Sequence, residues 1–299
     1  MKLKLGINTG FAVNRFPEPE EWSRIVGDLG LRHVQFTADM LNAALPDEIV
    51  NDHISRINEC SRANGFAIET TFTGAFTRVN HLSHPDESLR KYWISWFKRY
   101  AEISRRLGAE SMGSHFGIMS VRDLKERKDE MLQRNIDGWK EISVHAKATG
   151  LKYLTWEPMS IPREYGESIE ETRKIHSIVN RHTAIPMKLC LDVDHGDVSS
   201  KNPRDTDPYE WLMEFAKEAP IIHIKQSLKD KGGHWPFIHE KNKDGKIIPE
   251  KILQALEDAG VKETTLLLEL SFREREPFES TILNDLKASV DFWRPYVPD

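Results

Sequence analysis

Cysteine is scarce in this chain. Two residues in 299, Cys60 and Cys190, leave no disulfide framework and no CxxC metal spacing, so both read as packing residues, one in a helical segment and one in a buried strand. Long apolar runs are missing as well. Nothing approaches the roughly 18 consecutive apolar residues that cross a bilayer, and the opening MKLKLGINTG is too short in its apolar part for a secretory signal. No membrane partner and a cytoplasmic location are therefore expected. Nor is there an excess of positive charge: 42 Lys and Arg stand against 47 Asp and Glu, and the net charge of −5 offers no general footprint for a phosphodiester backbone. Nucleic acid is not an expected partner. No GxGxxG follows the first apolar run, which speaks against an open doubly wound sheet, and no GxxxxGK[ST] occurs, which favours an unphosphorylated ligand. No low-complexity tract or composition break divides the chain, so residues 1–299 are expected to form one domain.

What is present is repetition. Eight short apolar runs occupy residues 3–9, 33–37, 66–73, 109–115, 152–158, 187–195, 221–226 and 264–270, and helical patterns lie between them. Gly30, Gly65, Gly108, Gly150 and Gly260 each precede a run by a few residues or fewer, where a left-handed helix terminator is wanted, and Pro186 and Pro220 mark two further starts. Residues 86–108 show the helical pattern well: Leu89, Trp93, Trp96, Phe97, Tyr100, Ile103 and Leu107 give one face that packs on a sheet. Strands separated by helices of this length run parallel with right-handed crossovers. Eight of them close into a single (β/α)8 TIM barrel, for which 39% hydrophobic residues supply a large core.

In such a barrel the site lies at the C-terminal ends of the strands. Those ends are rich in acids and histidines: TWEP brings Glu157, LDVDH brings Asp192 and His195, HIK brings His223 and Lys225, and LLLEL brings Glu269. Each follows apolar neighbours, where an isolated carboxylate suffers a desolvation cost of several kcal/mol unless paired or metal-bound. One divalent cation bound by Glu157, Asp192, His223 and Glu269 relieves them together. Three carboxylates and an imidazole form a mostly hard donor set, suited to Mg²⁺, Mn²⁺ or Co²⁺, with catalytic Zn²⁺ also compatible. His195, three residues after Asp192, is placed to touch a substrate oxygen. His115, ending MGSH, and Lys225, two residues after His223 on the same side of the strand, are open between lining the site and ordinary hydrogen bonding. Glu69 is left unassigned as a candidate ion-pair partner, and Trp93, Trp96 and Trp139 read as helix packing.

The motifs TWEP, LDVDH, HIK and LLLEL, in this order, resemble those of the xylose-isomerase-like TIM-barrel superfamily, particularly its sugar isomerase and 3-epimerase branch, over nearly the whole chain. The resemblance implies a metal on the four residues above, substrate binding by His195, and Glu157 and Glu269 as a proton-transfer pair facing each other across a small sugar. The loops EPMSIPREYGES, KGGHWPF and ELSFREREPFES are similar to those of carbohydrate-catabolic isomerases that include D-apiose isomerase. An aldose–ketose isomerase of an unphosphorylated sugar such as D-apiose is thus the expected activity, with a ketose 3-epimerase or a polyol dehydratase on the same metal site as alternatives and a catalytically silent sugar-binding barrel as the non-enzyme reading. His234, Trp235 and Phe237 are expected to wall the pocket, while Arg163 and Arg273 either hold substrate oxygens or form surface ion pairs. A homo-oligomer is compatible with all of this.

Overall fold

All eight apolar runs become strands, and the strands close on themselves. The computed structural model describes residues 1–78, 82–228, 231–272 and 277–298. The barrel strands are β1 (Lys2–Asn8), β2 (His33–Thr37), β3 (Ala67–Phe72), β4 (Ser111–His115), β5 (Tyr153–Glu157), β6 (Met187–Asp192), β7 (Ile221–Ile224) and β10 (Glu263–Leu268). They are parallel throughout, in the order β1-β10-β7-β6-β5-β4-β3-β2. The (β/α)8 barrel expected from the sequence is the fold.

The connecting helices are α1 (Pro19–Asp28), α2 (Asp47–Asn64), α3 (Glu87–Arg106), α4 (Val121–Thr149), α5 (Ile169–Asn180), α6 (Pro208–Phe215), α7 (His239–Asn242), α8 (Pro249–Asp258) and α9 (Ile282–Trp293). The five predicted helix-stop glycines all adopt positive φ, between 67° and 92°. At Gly65 and Gly150 this closes α2 and α4 directly as the left-handed C-cap. Asp86 caps α3, accepting hydrogen bonds from the Ser88 and Leu89 amides. The predicted face of α3 is buried at Trp96, Phe97, Tyr100, Ile103 and Leu107. Leu89 departs from it at 46% exposure, because the first turn overhangs the core and Ile94 takes the inward place. Trp139 is fully buried and donates from Nε1 to the Phe116 carbonyl, 2.8 Å away.

Apolar side chains fill two regions. The large one lies between barrel and helices. The small one, Phe72, Cys190, Ile221 and Leu267, lies apart from it and brings together β3, β6, β7 and β10. Lys4, His33 and Glu69 gather around another cavity, and there Glu69 pairs with His33 at 2.7 Å and Lys4 at 3.4 Å, the ion-pair role left open for it. One element has no counterpart in the expected pattern: β8 (Gln226–Leu228) and β9 (Lys231–Trp235) form an antiparallel hairpin directly after β7. Among the described residues no helix is long and apolar enough to cross a membrane.

Candidate active site

Side-chain alternation along each strand delivers the polar groups inward. Asp192 stands level with His223 across the β6–β7 pair, and His115 level with Glu157 across β4–β5. Glu269 follows β10 and is tied to β7 by its amide, which donates to the Ile224 carbonyl at 3.1 Å. Glu157, Asp192, His223 and Glu269 each offer one ligand atom, and these atoms all lie within 4.8 Å of one another. The sequence-predicted four therefore converge. Glu157 and Asp192 are buried and His223 is fully so. Desolvation of that kind costs several kcal/mol per charge when it is uncompensated.

A backbone amide fixes the protonation pattern of the histidine. The Gly10 N–H donates to Asn8 Oδ1 at 2.7 Å, which orients the Asn8 amide so that its Nδ2 donates to Gln35 Oε1, also at 2.7 Å. Gln35 Oε1 is thereby identified as an acceptor, and His223 Nε2, 2.7 Å from it, carries the donated proton. The other nitrogen, Nδ1, faces Glu157 Oε1 at 3.0 Å and Glu269 Oε1 at 3.4 Å. A lone pair pointed at two carboxylates needs a cation between them or a proton of its own. Burial alone would lower the His223 pKa, but Cys190, Glu269 and Glu157 raise it well above the ordinary imidazole value. The donor set thus fits a divalent cation: three carboxylates, an imidazole nitrogen with its tautomer set from behind, and an excess of negative charge.

Lys225 sits among the same acids. It is fully buried, donates to Asp192 Oδ2 and lies 3.4 Å from Glu269 Oε2. Burial opposes its charge, and the Asp192 and Glu269 carboxylates overcome that opposition and raise its pKa. For Glu269 burial favours the neutral form, while His223, Lys225 and His234 hold the carboxyl well below its usual range. His234, on β9, brings Nδ1 to 3.2 Å from Glu269 Oε2. The hairpin carrying it is clamped by Asp194, which accepts from Ser227 Oγ at 2.5 Å and the Gly233 amide at 3.0 Å and pairs with Lys246 at 2.7 Å. A side chain in place of the Gly232 hydrogen would bring a Cβ to 2.8 Å from Asp194 Oδ2.

A cavity of about 460 Å³ opens over the four residues and is lined by Glu157, Glu269, His115, His195 and His234 among others. His195 donates from Nδ1 to the Pro158 carbonyl at 3.0 Å, which leaves Nε2 as the acceptor, 3.8 Å from Asp192. The expected residues are not all on this wall. Lys225 stands behind the carboxylates instead of facing the cavity, and Trp235 lies off it, its ring under the Lys241 ammonium at 3.9 Å. Phe237 is core, stacked on Phe292 at 5.4 Å. Arg163 braces a loop, donating to the Met119 carbonyl at 3.0 Å. Arg273 falls outside the described residues.

Several participants were not foreseen. Asn8 and Gln35 are single polar residues in apolar strands, a faint signal. Cys190, expected only to pack, also places its Sγ 3.3 Å from His223 Nε2, and burial pushes its thiol up to about 11. Arg15 and Arg78 line the cavity, each held by an acid: Arg15 by Glu279 at 2.7 Å and Arg78 by Glu164 at 2.5 Å.

The sequence profile described as xylose isomerase-like TIM barrel matches residues 16–296. The D-erythrulose 1-phosphate 3-epimerase of Brucella abortus (strain 2308) is 41% identical over 301 residues, spanning 99% of this chain and 97% of that protein. Among solved structures, a Rhodospirillum rubrum protein provisionally assigned as a xylose isomerase superposes with a TM-score of 0.87 at 26% identity, covering 97% of each chain. The D-psicose 3-epimerase of Clostridium cellulolyticum H10 shares the fold, with a TM-score of 0.70 at 17% identity over 98% of this chain and 99% of its own.

Proposed function

This chain belongs to the xylose isomerase-like TIM barrel family, and from that premise we propose that it is a divalent-metal-dependent 3-epimerase of a short ketose phosphate. It is an enzyme of the sugar isomerase and epimerase class. The observation that carries the finer reading is the convergence of Glu157, Asp192, His223 and Glu269 under one cavity, in a chain 41% identical to a ketose-phosphate 3-epimerase. Aldose–ketose isomerisation, with D-apiose as substrate, is the weaker reading beside that likeness, and 3-epimerisation, the alternative drawn from the sequence, replaces it. A phosphorylated substrate likewise replaces the unphosphorylated one, because anion binding here needs no glycine-rich loop: Arg15 and Arg78 on the cavity wall supply guanidinium groups suited to a phosphate monoester.

Inversion at C3 of a 2-ketose breaks the C3–H bond, moves that electron pair towards the C2 oxygen, and returns a proton to the opposite face of C3. Two carboxyl groups on opposite sides of the carbon suit this, one accepting and the other donating, with roles exchanged in the reverse direction. Glu157, at the end of β5, and Glu269, just after β10, both line the cavity and are the pair. Held by the four residues, a divalent cation would polarise the C2 carbonyl and offset the charge of the enediolate. His195 Nε2 binds a substrate oxygen, and His115 and His234 line the same space.

The test is NMR of D-erythrulose 1-phosphate incubated with enzyme and Mn²⁺ in D₂O. Deuterium at C3 is expected, with decay of the optical rotation as the mirror-image C3 epimer forms. Deuterium at C3 with the optical rotation retained, or turnover of D-apiose but not of the phosphate ester, would overturn the proposal.

A further inference from the structure

We propose that Lys225 is a resident counter-cation of the cage, an ammonium that competes with the divalent ion for Asp192 and Glu269 and limits the loaded site to one such ion. The inference rests on the metal-site reading above.

Four observations carry it. Lys225 lies two residues after His223 and one past the end of β7, and its ammonium reaches the same interior as the His223 ring. It is fully buried and absent from the cavity wall, which makes it a poor candidate for direct contact with substrate. Its Nζ contacts Asp192 Oδ2, lies 3.4 Å from Glu269 Oε2, and is 3.0 Å from the His234 ring. Both carboxylates it touches are also cage residues. A buried ammonium is tolerated only when paired, and here each carboxylate partner is also a candidate metal ligand.

Charge counting gives the consequence. Glu157, Asp192 and Glu269 contribute −3 and Lys225 contributes +1, so with neutral His223 the cage stands at −2. One divalent ion brings it to zero, and a second would leave a buried excess of positive charge. Without the lysine, three acids repel one another with His195, His223 and His234 as their basic neighbours among the described residues, and the divalent ion meets no ammonium competitor. Lys225 therefore keeps the metal-free protein folded while weakening its hold on metal.

Thermal melts of the full chain, chelated and then with Mn²⁺, separate this from an ordinary hydrogen-bonding role. Lys225→Met is expected to lower the chelated Tm and to widen the gain on adding Mn²⁺ by at least about 3 °C over wild type, the size of roughly 2 kcal/mol in a chain this long. Lys225→Arg, which keeps the charge, should keep the wild-type gain. The double variant Lys225→Met/Glu269→Gln removes one charge of each sign and should recover the chelated Tm. If Lys225→Met fails to fold, Lys225→Gln is measured in its place. Equal Mn²⁺ gains in wild type and in the neutral variant would overturn the lysine proposal alone. A wild type that neither holds Mn²⁺ nor gains from it would overturn the metal-site reading and this inference with it.

Discussion

Gln35 bears no charge and never enters the cavity wall, yet it decides which nitrogen of His223 is free to meet a cation. Its amide is oriented through Asn8 by the Gly10 N–H. Removing such an outer partner typically costs 10–100-fold in metal affinity. Gln35→Leu should therefore bind Mn²⁺ roughly 10–100-fold more weakly by calorimetric titration while remaining folded. Unchanged affinity would mean the tautomer is set elsewhere. At this scale the sequence was legible where chemistry repeats at strand ends: Glu157, Asp192, His223 and Glu269 are carboxylates and an imidazole at equivalent positions of successive units, and they do converge. It was illegible where a residue works through a neighbour. Gln35 and Asn8 look like any polar residue in a strand, and the inward direction of Lys225 could be read while its place behind the acids could not, because that depends on how far Asp192 and Glu269 reach.

The hairpin formed by β8 and β9 turns a barrel end into a walled site, since it delivers His234 to Glu269. Its segment KGGHWPF reads as a loop: two glycines and a proline outweigh the β-forming residues, and only pairing with β8 makes it a strand. Asp194 clamps it. Burial raises the Asp194 pKa, but Lys246 and Ser227 overcome this and hold the carboxyl below its ordinary value of 3.8. A depressed carboxylate contributes its stability above the unfolded value and loses it as pH falls through the folded one. The clamp thus persists throughout the neutral range and opens only in acid below 3.8. Asp194→Ala should release the hairpin at pH 7, seen as faster amide hydrogen exchange in β8 and β9 and a higher KM. Exchange no faster than in wild type would show that the pairing of β8 with β9 holds without the clamp. Helices were more legible than this hairpin, because a glycine with positive φ ends each of several units. Leu89 shows the limit of periodicity alone, which cannot tell where a helix runs past the core it packs on.

Across the whole molecule, barrel closure brings together residues that are distant in the chain. Strands β5, β6, β7 and the end of β10 must each keep register for the cage to exist, so cation binding and barrel stability are coupled. Chelation is expected to lower the Tm and abolish turnover, with Mg²⁺, Mn²⁺ or Co²⁺ restoring both. Full activity in protein verified free of metal would contradict this. Glu157→Gln and Glu269→Gln should each cut epimerisation by about 10²–10⁴-fold while the barrel stays folded.

The most direct measurement of the account follows from those two variants. Each, checked for metal content, is incubated with either C3 epimer of the ketose phosphate in D₂O, with deuterium at C3 followed by NMR and inversion by optical rotation. With one glutamate left, each variant should exchange the C3 proton of a single epimer without inverting it, and the two variants should act on opposite epimers. Exchange of the same epimer by both, or undiminished inversion by either, would contradict a pair of glutamates working from the two faces of the sugar.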